Sequence, residues 1–116
     1  NVPGLALVTH DEMIAGKKDL VRRMVAASVE ALKIVQENPE AAIDSLLKVK
    51  STLNRDVHLN ILKSSFDLFD SAASKGKPLG YIPPADIENA QNLLVEYDQI
   101  KTKAPIGDYF TNEFIR

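Results

Sequence analysis

The 116-residue chain has no cysteine, which excludes disulfides, thiolate metal sites and cysteine nucleophiles. It also lacks an uninterrupted apolar run of roughly 18 residues, the least that would suggest a membrane-spanning helix. An excess of basic charge is missing too: the net charge is -2 and the pI about 5.6, so the electrostatic footprint of a nucleic-acid binder is not there. The densest basic pairs, Lys17-Lys18 and Arg22-Arg23, have acidic neighbours on a helical pattern and read as a solvated face. No leader-like segment opens the sequence. It starts at Asn1 and enters an apolar stretch at once, so a piece of a longer protein is expected.

Reactive constellations are equally scarce. The two histidines, His10 and His58, are far apart and neither begins an H-E-x-x-H pattern. The first reads as an exposed first-turn residue and the second as the flank of a helix. Carboxylate pairs such as Asp11-Glu12 and Glu37 with Glu40 fall at helix starts, where the macrodipole favours negative charge, rather than across a cleft as glycoside hydrolysis needs. No P-loop, G-x-S-x-G elbow or dinucleotide fingerprint occurs. Neither an enzyme activity nor a cofactor or metal is expected.

What is present is an ordinary globular composition, 45% hydrophobic and 26% charged, in a length that suits one domain. The segment Leu5-Ala6-Leu7-Val8-Thr9 predicts one short buried strand. The T-x-x-E spacing of Thr9 and Glu12 predicts a capping box, with a short helix to about Ala15 ended by Gly16. A helix is expected over 17–37, with Val21, Met24, Val25, Ser28, Leu32 and Val35 as its inner stripe. Asn38-Pro39 breaks and restarts it, giving a helix to about Val49 that buries Ala42, Ile43, Leu46 and Leu47. Asn54 should cap a helix of about twenty residues striped by Val57, Ile61, Leu62, Phe66, Phe69 and Ala73. A Gly- and Pro-rich break covers 74–84. A helix from Pro84 to about Asp98 follows, with Ile87, Ala90, Leu94 and Tyr97 on one face and Leu93 beside them. After a polar loop over 101–107, Asp108 is expected to cap a last turn ending near Phe114. The sum is a mainly α chain of five or six helices with one short strand. No heptad pattern survives three repeats, which excludes a long coiled coil.

Leu79-Gly80-Tyr81-Ile82-Pro83-Pro84 is the loop of most interest, because it sets a flat aromatic between a glycine and a rigid helix entrance. Tyr81 is the candidate ligand-binding residue. The alternative is that Tyr81 or Ile82 packs back on the following helix as a hydrophobic staple.

Five pieces in order resemble the C-terminal third of the alkanesulfonate-, nitrate- and thiamine-pyrimidine-type substrate-binding proteins of ABC transporters. They are Val2-Pro3-Gly4-Leu5-Ala6-Leu7-Val8-Thr9 with Asp11-Glu12-Met13-Ile14, and Leu20-Val21-Arg22-Arg23-Met24-Val25-Ala26-Ala27-Ser28. Glu37-Asn38-Pro39-Glu40-Ala41-Ala42, Gly80-Tyr81-Ile82-Pro83-Pro84 and Tyr109-Phe110-Thr111-Asn112-Glu113-Phe114 complete them. The resemblance implies a parent of the α/β bilobal type II periplasmic-binding-protein fold, in which residues 1–116 form a single C-terminal helical segment of lobe one. It implies a small-molecule ligand such as a sulfonate, nitrate or thiamine-precursor pyrimidine, and an ABC permease as partner. It further implies a periplasmic location, or a lipid anchor outside the membrane in Gram-positive relatives. Most ligand contacts would lie outside these residues, so weak ligand binding by the segment alone is expected, together with a homo-oligomer formed through its uncovered apolar faces. A free-standing helical protein-interaction module is the alternative that the residues themselves leave open.

Overall fold

The structure is a computed structural model that describes Gly4 and residues 6–116. Five α-helices and one 3₁₀ turn make up its regular structure: α1 Asp11–Gly16, α2 Lys18–Glu37, α3 Pro39–Val49, α4 Arg55–Phe66, α5 Pro84–Glu96 and the turn Ile106–Asp108. None of the described helices is long and apolar enough to cross a membrane.

The strand expected at 5–9 is not formed at Ala6, Leu7, Val8 and Thr9, and Leu5 lies outside the described residues. All four are exposed, Val8 at 90%. A strand is stable only when a neighbour takes its amides and carbonyls, and no such neighbour is present among the described residues. The capping box at Thr9 is also corrected. His10 holds the cap position of α1 without a side-chain bond, and its carbonyl accepts the amides of Met13 (2.9 Å) and Ile14 (3.2 Å). The helix thus begins one residue later than the T-x-x-E spacing requires.

The two asparagine caps form as the spacing predicts. Asn38 Oδ1 accepts the Ala41 amide at 3.4 Å with Pro39 in the first turn, and Asn54 Oδ1 accepts the Val57 amide at 3.0 Å. Such caps contribute about 1 kcal/mol each. They separate α2, α3 and α4, which pack in sequence order, α1 on α2, α2 on α3 and α3 on α4. Charge reinforces the last contact: Arg55 Nε lies 2.7 Å from Asp44, and Lys63 Nζ lies 3.8 Å from Glu40.

The fourth helix has 12 residues instead of about twenty. Beyond Phe66 the chain tightens, with i to i+3 bonds from Leu68 to Ser65 and from Phe69 to Phe66. Ser71 and Ser74 then exchange side-chain to backbone bonds: the Ser71 amide donates to Ser74 Oγ at 2.7 Å and the Ser74 amide to Ser71 Oγ at 3.1 Å. Serine hydroxyls that compete for backbone groups favour turns over helix interiors, so residues 67–83 run as successive turns. Of the expected stripe, Phe66 and Phe69 still meet edge to face at 5.7 Å, while Ala73 is exposed.

Among the described residues the buried apolar side chains are Val21, Ile43 and Phe114, joined by Pro83. The inner stripe of α2 is narrower than expected, because Met24 and Leu32 face solvent. On α3, Leu46 is likewise exposed. On α5 the expected apolar face is only half covered: Leu93, Leu94 and Tyr97 are exposed, whereas the polar Asp86 and Gln91 are buried. Gln91 is buried because Oε1 accepts the Ala104 amide at 3.0 Å, which ties the loop after α5 back onto the helix.

Candidate functional site: the loop before α5 and the C-terminal segment

Two consecutive turns lead into α5. The Lys77 amide donates to the Ser74 carbonyl (2.9 Å) and the Tyr81 amide to the Pro78 carbonyl (3.0 Å). Gly76 and Gly80 occupy the third position of each turn at φ 77° and 87°. That is the geometry of a type II turn, which needs a residue at home in the left-handed region. Gly80 has a second reason to lack a side chain. A Cβ there would stand 3.2 Å from Ile115 Cδ1 and 3.6 Å from Val29 Cγ2, so α2 and the C-terminal segment close directly on its backbone.

The C-terminal segment is fixed by contacts remote in sequence. The Ile82 amide donates to Asn112 Oδ1 at 2.9 Å, and Asn112 Nδ2 donates to the Ile82 carbonyl at 2.8 Å. One side-chain amide thereby satisfies both backbone groups of Ile82, as a neighbouring strand would. Lys18 Nζ meets Glu113 Oε1 at 2.8 Å, and Phe114 is buried beside α2. The expected Asp108 cap does not form. The 3₁₀ turn there starts at Pro105, whose carbonyl accepts the Asp108 amide at 3.0 Å, so Asp108 ends it; a separate turn follows, in which the Ile115 amide donates to the Asn112 carbonyl at 3.1 Å.

Tyr81 stands half-buried on this fixed loop. The Lys77 ammonium lies 5.6 Å from its ring centroid, within cation–π range. Ile82, also half-buried, holds the position just before the Pro83 cap, where a staple residue would sit. Phenol and ammonium side by side can offer an anion one hydrogen bond and one charge. Two grooves lie elsewhere. One of about 470 Å³, between α2 and the C-terminal segment, is lined by Arg22, Arg23, Val25, Val29, Lys33 and Phe114, among others. The other, about 180 Å³ and apolar, is lined by Ala90, Leu93, Leu94, Tyr97 and Gln99. Tyr81 borders neither.

The remaining polar residues singled out in the sequence are scattered. His10 is exposed at the start of α1, and His58 Nδ1 lies 2.8 Å from the Asn54 carbonyl on its own helix. Asp11 and Glu12 are exposed in the first turn of α1, and Glu40 faces Arg55 and Lys63. Among the described residues, no three His, Asp or Glu side chains come together around one point. Sequence reasoning missed Lys77, Asn112 and Gln91. Nothing local marks the last two, since their partners lie 30 and 13 residues away.

No family model matches the chain, and neither the curated proteins nor the solved structures contain a match. The resemblance to substrate-binding proteins therefore stands on the five sequence pieces alone.

Proposed function

We propose that the chain is the helical C-terminal part of lobe one of an extracytoplasmic solute-binding protein that serves an ABC importer. The observation that carries this reading is the fixed loop at Tyr81. Two of the five resembling pieces, Gly80-Tyr81-Ile82-Pro83-Pro84 and the segment around Asn112, meet through the paired Ile82–Asn112 bonds. They hold a half-buried phenol next to the Lys77 ammonium. A rigid aromatic with one donor and one cation suits a small organic or inorganic anion, and an ordered loop loses little entropy on binding. In the proposed mechanism the second lobe closes over this wall, completes the ligand contacts, and the closed form docks on the permease. The open apolar residues of α3 and α4, Val49, Val57 and Ile61, suit burial under the rest of such a lobe.

The test is calorimetric titration of the complete gene product with an alkanesulfonate, with nitrate and with an aminopyrimidine. Saturable binding of one of them is expected. In Tyr81→Ala, affinity should fall about tenfold, near 1.4 kcal/mol, while the melting temperature holds. Unchanged affinity in a folded variant ends the assignment of Tyr81. Silence with all three ligand classes ends the transport reading. That silence is what the second reading, a helical protein-interaction module, expects; its support is the exposed apolar surface of the helices, as at Met24, Ile34, Val57 and Ile61.

A further inference from the structure

The outward edge of α2 carries an apolar seam that no other described element covers. Leu20, Met24, Ala27, Ala31 and Ile34 follow one another at alternating steps of four and three residues, the spacing that keeps side chains on one line for a partner helix. All five are exposed, the large ones at 44% (Leu20), 60% (Met24) and 57% (Ile34). This line is distinct from the face that α2 turns inward with Val21, Ser28 and Val35. Its other flank is charged, with Arg23 one step before Met24 and Glu30 one step before Ala31.

The geometry points to a second copy of the same chain as the occupant, paired through α2 about a two-fold axis with the helices antiparallel. Volumes select that arrangement. With Met24 opposite the partner's Ala27, Leu20 falls opposite the partner's Ala31, and symmetry repeats both pairs. Each of these four layers sets a large side chain against a small one, which lets two helices approach closely without voids, and Ile34 lies beyond them at the level of the partner's Lys17. Charge selects the same register. Arg23 comes beside the partner's Glu30, and Glu30 beside the partner's Arg23, so a single surface is complementary to itself, as a two-fold interface requires. In the free chain Arg23 leans on Asp19 at 3.2 Å with its side chain exposed, and it can reach across without leaving a buried charge behind. Sliding one helix by a heptad would put Met24 on the partner's Ile34, Ala27 on the partner's Ala31, and Glu30 on the partner's Glu30. A parallel pair would set each seam residue on its own copy. Both lose the match of size, and the first adds a repulsion. In the register that sets Met24 opposite the partner's Ala27, residues 18–33 of each helix lie side by side over about 24 Å, so the contact lies at the small end of specific interfaces and a micromolar dimer is expected. This pairing does not depend on the transport reading, because it uses the side of α2 opposite Val29, on which the Tyr81 loop closes, and is read without ligand.

Sedimentation equilibrium across the micromolar range tests it. The wild-type protein should follow a monomer–dimer equilibrium, Met24→Glu should be monomeric, and Leu68→Glu, exposed on the turns after α4, should still dimerise. Arg23→Glu and Glu30→Arg should each weaken the dimer about tenfold, since either change sets two like-charged pairs across the axis. The double exchange R23E/E30R in one chain should restore it. As the chain has no cysteine, Met24→Cys and Ala27→Cys can be mixed under oxidation, and the cross-link between the two variants should outpace either with itself. A monomer at every concentration, dimerisation of Met24→Glu equal to wild type, failure of the double exchange to restore, or fastest linking of each variant to itself would each overturn the proposal.

Discussion

Gly80 and Asp98 share a left-handed backbone, at φ 87° and 54°, but only one of them lacks a side chain. Asp98 closes α5: its amide donates to the Val95 carbonyl and the Gln99 amide to that of Leu94. This double closure normally uses glycine in the left-handed position. Asp98→Gly should therefore relieve strain and raise stability by about 0.5–1 kcal/mol, after the extra chain entropy of glycine is offset. Gly80→Ala should act the other way, costing roughly 1–3 kcal/mol of backbone strain, with Ile115 displaced in addition. Thermal melts of the two variants beside wild type should thus bracket it, and a shift of the same sign in both would remove this account. At this scale the sequence is legible where the bond is local. Asn38, Asn54 and Pro39 act within one helical turn, and their spacing announces it. Asn112 does not, because an asparagine that serves a backbone 30 residues away looks like any polar residue near the end of the chain.

Helix order and most boundaries of the elements follow from caps and breakers, and the exceptions have a common cause. The helix expected from Asn54 stops at Phe66, and beyond it Ser71 and Ser74 bond each other's backbone, a competition that apolar spacing does not register. The face expected to be buried on α5 is partly open, while Gln91 is buried through one bond to a distant loop. The α3–α4 pair offers a test of how far surface charge holds elements together. Asp44 is held below its ordinary value of 3.8, first by the hydrogen bond from Arg55, which outweighs the opposing effect of desolvation, and then by the charges of Arg55 and Lys48. A carboxylate depressed in the folded state stabilises at pH well above 3.8, and that contribution is lost as pH falls through its folded value. Melts of Asp44→Asn should accordingly lie below wild type at neutral pH and converge with it below the ordinary aspartate range. The gap should narrow in high salt, because the pair is exposed. A gap that stays constant down to the acid limit would assign the effect to packing instead.

The whole molecule exposes 8824 Å², whereas a compact monomer of 12.8 kDa exposes about 6,300 Å². Its radius of gyration is 16.7 Å, against roughly 13.4 Å for a compact chain of this length. No composition rule reveals this, because hydrophobic content says how much a chain could bury and not how much it does. The helical class is legible in the sequence; the open faces of α2, α4 and α5 are visible only in three dimensions. The unfolded chain would expose about 18,600 Å², so folding hides only about half of that, a smaller share than even a domain of about 60 residues achieves. The urea dependence of stability scales with the surface released on unfolding. Its slope should therefore fall about a fifth below that of a compact domain of equal length. Measured at low concentration, where α2 is unpaired, the slope should be small and the scattering radius large. At concentrations where the seam is paired, the slope per chain should rise as each copy covers the other. A slope at the compact value in dilute solution, with a radius near 13.4 Å, would show that the isolated helices close over their own apolar faces, and would leave the seam on α2 without a partner to seek.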